Sequence, residues 1–168
     1  MQETQPLEIE RKFLIGYPDC EELKKLALSV SEIWQTYLVS EEGASARVRK
    51  RIFRDRMEFT KTVKVRLSDM TRVERESEIS TEEYERLLRE EAIPGLRTIH
   101  KWRYCVPYRG QVCEIDVYDF WQDRATLEIE TESETQEVFL PPFVTLLREV
   151  TFEKGYTNRA MAKELPAL

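Results

Sequence analysis

Near its start the chain reads Leu7-Glu8-Ile9-Glu10-Arg11-Lys12-Phe13, in which apolar and charged side chains alternate. Because side chains two residues apart in a β-strand point to the same side, a strand here places Glu8, Glu10 and Lys12 on one face. Two carboxylates and an ammonium are costly to bury unless they pair with each other or bind a ligand. Whether this face meets water or the interior therefore decides what the protein does.

The composition is that of a globular protein with a large share of charged residues. The 168 residues fit one domain, placed here at 1–168, and the 26 basic and 32 acidic residues give a net charge of -6. This acidic balance argues against a non-specific nucleic-acid binder. The chain has no apolar run of membrane-spanning length and no apolar stretch typical of a signal peptide. We therefore expect a cytoplasmic protein that does not contact a membrane.

The same alternation continues along the chain and predicts eight strands in all. They are expected at 7–15, 29–40, 44–53, 57–67, 71–80, 96–106, 111–121 and 124–132. A short helix is predicted after an Asp19 N-cap, a second at Glu82–Glu91 after a Thr81 cap, and a last one at Asn158–Glu164. Many strands at short spacing, separated by turn residues, indicate a closed antiparallel barrel or a sandwich.

Several of these strands carry charge of a single sign on one face. The rows are Arg47, Arg49 and Arg51; Glu74, Glu76 and Glu78; and Glu128, Glu130 and Glu132. One interpretation is a solvated outer face, as in an ordinary antiparallel sheet. Rows of like charge repel, however, and an opposite row or a bound ion relieves the repulsion. Arginine and lysine suit phosphate oxygens, and carboxylates suit the Mg²⁺ or Mn²⁺ that accompanies phosphate chains. An inward charged face would make the barrel a polar tunnel.

Taken together, these segments resemble the CYTH superfamily, the triphosphate tunnel metalloenzymes. The stretch Glu8-Ile9-Glu10-Arg11-Lys12-Phe13 looks like the ExExK signature of that superfamily. Further similar blocks follow in order: Arg47-Val48-Arg49, Thr62-Val63-Lys64, Arg72-Val73-Glu74-Arg75-Glu76-Ser77-Glu78-Ile79, Lys101-Trp102-Arg103-Tyr104, Glu114-Ile115-Asp116-Val117, Leu127-Glu128-Ile129-Glu130, and Glu149-Val150-Thr151 with Tyr156 and Asn158. The resemblance spans about residues 7–162, which is nearly the whole chain.

The resemblance implies a mainly β, α+β fold: an eight-stranded antiparallel closed β-barrel with a few helices outside and a C-terminal helix near one tunnel end. It implies that Mg²⁺ or Mn²⁺ is held by Glu8, Glu10, Glu128 and Glu130, with help from Glu74, Glu76 or Asp116. It assigns phosphate contacts to Lys12, Arg47, Arg49, Lys64, Arg72, Lys101 and Arg103. The catalytic set would be Glu8, Glu10, Lys12, Glu128 and Glu130. Arg159 or Lys163 of the last helix is a candidate for reaching inward.

The function implied is metal-dependent hydrolysis of a small triphosphate or polyphosphate, with inorganic tripolyphosphate as the leading substrate. Alternatives within the fold are a thiamine, nucleoside or RNA triphosphatase and a class IV-type adenylate cyclase. A non-catalytic polyphosphate-binding module is an alternative of another class. The turn Phe152-Glu153-Lys154-Gly155 departs from the usual form of the family, and Arg51, Arg66, Glu78 and Glu132 continue the inward phase near strand ends. Oligomeric state is left open by the sequence.

Other reactive residues are assigned structural roles. His100 is the single histidine, which excludes a site built from several histidines, and its place before Lys101 predicts an outward side chain. The tryptophans (Trp34, Trp102 and Trp121) are predicted to pack rather than to stack on bases. Cys20, Cys105 and Cys113 lack metal-ligand spacing, and alternation puts the last two on opposite faces. We expect free thiols.

Overall fold

The computed structural model describes residues 7–167, with side chains described from Ile9 onward. Antiparallel strands dominate this part of the chain. They are β1 (Leu7–Gly16), β2 (Ser29–Leu38), β3 (Ala44–Phe53), β4 (Arg56–Arg66), β5 (Thr71–Glu78), β6 (Ile99–Tyr108), β7 (Gln111–Tyr118), β8 (Arg124–Glu130) and a short β9 (Leu146–Glu149). The eight predicted strands are confirmed, with ends that move by up to three residues.

The sheet closes on itself through β1. The strands pair in the order β5-β4-β3-β2-β6-β7-β8-β1, and β5 then pairs with the beginning of β1, where Leu7 lies opposite Val73 and Ile9 opposite Thr71. The second half of β1 pairs with β8 from Glu10 onward. The predicted closed eight-stranded antiparallel barrel is therefore confirmed. Closure removes the sheet edges of those strands, which would otherwise offer unpaired backbone groups.

The ninth strand was not predicted. It pairs with Phe13, Leu14 and Ile15 of β1, beyond the short stretch that β5 covers, and the ladder shifts register between Leu14 and Ile15. The Val150 amide continues this connection by donating to the Lys12 carbonyl at 2.8 Å. This contact carries the C-terminal segment to one end of the barrel, where it lies next to the tunnel.

Three α-helices are described: α1 (Cys20–Leu26), α2 (Thr81–Glu90) and α3 (Asn158–Lys163), with a 3-10 turn at Lys154–Tyr156 before α3. The Asp19 carboxylate caps α1 as predicted, by accepting from the Glu21 and Glu22 amides. The predicted Thr81 cap of α2 is wrong by one residue, because the Ser80 hydroxyl accepts the Glu83 amide. Adjacent Ser and Thr are both good caps, so the sequence did not distinguish them.

Apolar side chains lie mainly outside the barrel wall, under the helices. Leu23 of α1 packs on outward residues of β1, β6, β7 and β8, including Ile115 and Leu127, and Leu87 of α2 packs on Leu38 and Val48 of β2 and β3. A third apolar cluster closes one end of the barrel and brings in Met161 of α3. The first two clusters take up the outward phase of their strands, which leaves the opposite, charged phase facing the interior, whereas the third contains inward residues such as Leu14 and Tyr37 at the closed end.

The residues given structural roles behave as predicted. His100 points outward, where its ring stacks on Trp34 with centroids 4.6 Å apart and its Nε2 lies 2.8 Å from a Glu32 oxygen. Trp121 packs in the apolar cluster at the closed end. All three cysteines are free, and Cys113 is buried. No helix in the described part of the chain is both long and apolar enough to cross a membrane.

Candidate active site: the barrel interior

The barrel encloses a cavity of about 500 Å³ whose lining is mostly charged. Among the described residues, its basic lining residues are Lys12, Arg47, Arg49, Lys64, Arg66, Arg72, Arg103 and Arg159. Its acidic lining residues are Glu10, Asp69, Glu74, Glu76, Glu114, Glu128 and Glu153. The direction that Glu10 and Lys12 face, which the alternation left open, is inward. A nearly balanced set of both signs in one cavity suits a polyanion accompanied by cations.

Arg47 and Arg49, on β3, form a largely desolvated cationic pair in the cavity. Their Nε atoms are buried and make no hydrogen bond within the described part of the chain, although the Gln35 Oε1 accepts from Arg49 Nη2 at 2.8 Å. Burial, together with repulsion by Arg47 and Arg103, lowers the pKa of Arg49 to about 9. A buried donor without an acceptor is unfavourable, and an anionic ligand in the cavity would supply acceptors for these arginines.

Glu10 of β1 and Glu128 of β8 bring two carboxyl groups together. Glu10 lies near enough to Glu128 to influence its ionisation, and Arg72 Nη1 donates to Glu10 at 2.8 Å. Lys12 Nζ lies 3.3 Å from Glu128 and donates to the Tyr156 carbonyl at 2.7 Å. Burial alone would raise the pKa of Glu128, but the nearby Lys12 ammonium holds it well below its ordinary value.

This carboxyl pair fits a hard divalent cation. Mg²⁺ is commonly held by one or two carboxylates, with water and substrate phosphates completing its shell. Among the residues with described side chains, no group of three or more Asp, Glu, His or Cys is assembled as a metal site. The donor set at Glu10 and Glu128 therefore fits a cation that is held jointly by protein and phosphate. Glu74, in contrast, lies 3.9 Å from Arg47 and 3.7 Å from Lys64, where it balances basic side chains.

Lys101 and Asp116 lie behind the cavity wall. The carboxylate of Asp116 is 1% exposed and accepts from Lys101 Nζ at 2.7 Å and from Arg103 Nε at 2.8 Å. Neither residue lines the cavity, whereas Arg103 does. Their mutual contact gives no support to the expectations that Lys101 contacts phosphate and that Asp116 contacts a metal, which stay predictions. Alternation gives the face of a strand but not the depth of a side chain within the wall.

Other predicted residues are placed as follows. Glu76 lines the cavity and is exposed. Glu130 lies opposite Glu10 in the β1–β8 ladder but is exposed at the end of β8 and does not line the cavity, so its expected role as a metal ligand stays a prediction. The Glu8 side chain lies outside the described residues, although its backbone pairs with Arg72. Of the two candidates in α3, Arg159 lines the cavity and Lys163 does not.

Residues near the strand ends divide between cavity and surface. Arg66 lines the cavity, whereas Arg51 donates to the Ser31 hydroxyl at 2.9 Å and lies 3.5 Å from Glu58. Glu78 and Glu132 are exposed and do not line the cavity.

Several polar partners of the site escaped the sequence interpretation. Gln35 holds Arg49, and the Thr151 hydroxyl accepts the Lys12 amide at 2.9 Å. Asn158 accepts from the Tyr118 hydroxyl at 2.7 Å and joins α3 to the closed end of the barrel. Gln35 shares its strand phase with Tyr37, which lines the cavity, but Gln35 itself is fully buried behind that lining. Thr151 and Asn158 belong to a block that resembles the family, but their contacts depend on long-range packing and were not predicted.

The fold and this site define a class: closed antiparallel barrels with a tunnel of mixed basic and acidic side chains. The sequence model of the CYTH domain matches residues 6–140. The chain belongs to the CYTH family.

Solved structures show the same similarity. The inorganic triphosphatase NE1496 is 29% identical, with a TM-score of 0.59 over 95% of this chain and 97% of that chain. The PH1819 and PH1012 proteins of Pyrococcus horikoshii OT3 share the fold at 19% and 21% identity, with TM-scores of 0.55 and 0.54. These matches cover 76% and 75% of this chain and 80% of each of those chains. No curated protein sequence matches the chain significantly.

Proposed function

We propose that the protein hydrolyses inorganic tripolyphosphate inside the barrel, with Mg²⁺ or Mn²⁺ as the required cation. The observation that carries this proposal is that Arg47 and Arg49 line the cavity while their buried Nε donors have no acceptor among the described residues. Phosphate oxygens are strong acceptors for such donors, and arginine can bind them in a bidentate manner. The similarity to a protein named as an inorganic triphosphatase supports the same conclusion.

In this proposal, the basic residues hold and orient the phosphate chain. Arg47 and Arg49 bind it from β3, and Lys64, Arg72 and Arg103 bind it from β4, β5 and β6. Phosphoryl transfer needs little covalent work from the protein, so positioning and charge neutralisation provide most of the catalysis. The fixed cations neutralise charge that develops on the phosphate oxygens, in a cavity where solvent screening is weak.

Glu10 and Glu128 would hold the divalent cation, with Glu8 next to them on β1. A divalent cation, when bound, supplies charge neutralisation on phosphate oxygens and activation of water at neutral pH. Lys12 keeps Glu128 ionised, since its ammonium lowers the pKa of that carboxyl group. Lys12 also lines the cavity, so it can contact a phosphate oxygen while it remains fixed by the Tyr156 carbonyl.

The absence of a stacking surface favours an unsubstituted triphosphate. Tyr37 and Tyr156 are the aromatic side chains among the described lining residues, and both are buried within the apolar cluster at the closed end. A nucleobase or thiazolium ring would need an accessible aromatic or apolar face. Nucleoside and thiamine triphosphates are therefore expected to be poorer substrates.

The test is release of phosphate from tripolyphosphate, ATP and thiamine triphosphate, each with Mg²⁺, Mn²⁺ or EDTA. We expect turnover of tripolyphosphate with either metal, slower turnover of the other two, and none in EDTA. Glu128→Gln should abolish turnover, whereas Glu82→Gln on the exposed surface of α2 should not change it. Binding without turnover would indicate a polyphosphate-binding module, and formation of cyclic AMP from ATP would indicate a cyclase.

A further inference from the structure

We propose that Asp116 is a positioning residue, which together with the buried Lys101 fixes Arg103 in the orientation that faces the tunnel. This inference deepens the proposed function and rests on it, because Arg103 is one of the residues assigned to phosphate. It replaces the expectation that Asp116 is a metal ligand. The three residues form a buried group between β6 and β7, defined here as the Arg103 support.

In the Arg103 support, both carboxylate oxygens of Asp116 accept hydrogen bonds. Arg103 and Asp116 lie directly opposite each other on neighbouring strands. Arg103 Nε donates to Oδ1 at 2.8 Å, and its Nη2 donates to Oδ2 at 2.9 Å. Lys101 Nζ donates to the same Oδ2 at 2.7 Å. Both oxygens are therefore occupied by cationic donors, and the bidentate contact fixes the plane of the guanidinium group.

The surroundings make Asp116 a poor metal ligand. A ligand must offer a lone pair to the cavity, but Asp116 does not line the cavity and is 1% exposed. Arg103 and Lys101 hold the pKa of Asp116 at about 2, although burial alone would raise it. A metal would have to displace one of these donors and leave a buried cation without its counter-ion, which is strongly unfavourable.

The support leaves one end of Arg103 for a ligand. With Nε and Nη2 bound to Asp116, the remaining nitrogen, Nη1, lies 3.1 Å from Glu114, which also lines the cavity. A guanidinium that is already fixed loses less conformational entropy when phosphate binds. Without Asp116, the guanidinium of Arg103 keeps only its contact with Glu114 and is no longer fixed in one plane. Asp116 therefore affects phosphate affinity only through Arg103.

A double-mutant cycle separates positioning from metal ligation. The variants are Asp116→Asn, Arg103→Met and the double variant, with Asp119→Asn, an exposed carboxylate just beyond β7, as the matched control. The affinity for tripolyphosphate is measured by calorimetry in EDTA, and the Mg²⁺ concentration for half-maximal turnover is measured separately. We expect Asp116→Asn to weaken tripolyphosphate binding by about tenfold in the wild-type background. It should have no further effect in Arg103→Met, and it should leave the Mg²⁺ requirement unchanged.

The opposite pattern would overturn the proposal. A metal ligand would raise the Mg²⁺ requirement by the same factor in both backgrounds and would leave tripolyphosphate affinity in EDTA unchanged. Folding is expected to survive Asp116→Asn, because burial already lowers the pKa of Lys101 to about 7 and this lysine can lose its proton. The double variant Lys101→Met with Asp116→Asn removes one charge of each sign and serves as a second test of positioning. This variant must also bind tripolyphosphate more weakly than the wild type.

A readout without ligand keeps this inference separate from the proposed function. In protein labelled with ¹⁵N-arginine, the Nε proton of Arg103 should exchange with solvent slowly in the wild type and much faster in Asp116→Asn. Unchanged exchange would refute positioning even if tripolyphosphate binds. If the wild type does not bind tripolyphosphate, the proposed function fails, while the exchange result still decides whether Asp116 fixes Arg103.

Discussion

Replacing Arg49 by methionine should stabilise the ligand-free protein while it removes affinity for tripolyphosphate. Burial and neighbouring cations lower the pKa of Arg49 from 12.5 to about 9. At about 1.4 kcal/mol for each pKa unit, keeping this charge in the empty tunnel costs at most about 5 kcal/mol. Arg49 is only half-buried, so the true cost of its charge is smaller than this upper figure. The methionine variant also loses the hydrogen bond to Gln35, which subtracts about 1 kcal/mol from the expected gain. We expect a net gain of about 1 to 3 kcal/mol in the free energy of unfolding.

Thermal unfolding in EDTA, with and without tripolyphosphate, measures both effects. For a chain of this size, the expected gain raises the Tm of Arg49→Met by about 2 to 10 °C without ligand. Ligand at about 100 times its Kd stabilises the wild type by about 2.7 kcal/mol, and this increment should largely vanish in the variant. Arg89→Met, on the exposed face of α2, is the matched control and should change neither value. A lower Tm together with an intact ligand response would refute the reasoning.

Three further predictions concern pH, the closed end and its helix. Burial opposes the ionisation of Asp116, but the adjacent cations hold its folded pKa at about 2 against 3.8 for the ordinary group, so the unfolded state binds protons first as pH falls. The free energy of unfolding should therefore drop by about 2 kcal/mol between pH 4 and 2. The lowered pKa of Glu128 adds to this drop. Urea titrations that show no drop would contradict the prediction. Leu14→Ala, at a fully buried site in the closed end, should lower the free energy of unfolding by about 2 to 5 kcal/mol in urea, and a loss below 1 kcal/mol would contradict the packing described. Tyr118→Phe removes the hydrogen bond to Asn158 and should cost about 1 kcal/mol while hydrogen exchange in α3 becomes faster; unchanged exchange would count against this contact.

The charged face of each strand was predictable from the sequence, and the rows of single sign favoured an inward direction without settling it. The single-sign row that includes Arg47 and Arg49 cannot lie unpaired, and it faces a cavity that also holds Glu74 of β5. The alternation therefore identified the face of each strand, and the number of strands and their spacing indicated a closed sheet. The resemblance resolved the choice between barrel and sandwich, and the pairing of β1 with β5 confirms it.

The position of a side chain along the barrel axis could not be predicted in this way. Lys101, Arg103 and Asp116 share the inward phase, yet only Arg103 lines the cavity, because the Asp116 carboxylate is covered by the Lys101 and Arg103 side chains that donate to it. Glu130 differs from Glu128 because the strand ends there. The short β9 has no alternation of its own, and its pairing with β1 depends on contacts distant in sequence.

A crystal structure of the protein grown with tripolyphosphate and Mn²⁺ tests the central claim most directly. The account predicts an anomalous Mn²⁺ peak inside the barrel beside Glu10 and Glu128, with phosphate oxygens within hydrogen-bonding distance of Nε of Arg47 and Arg49. Phosphate found only outside the barrel, or Mn²⁺ bound away from these two carboxylates, would contradict it.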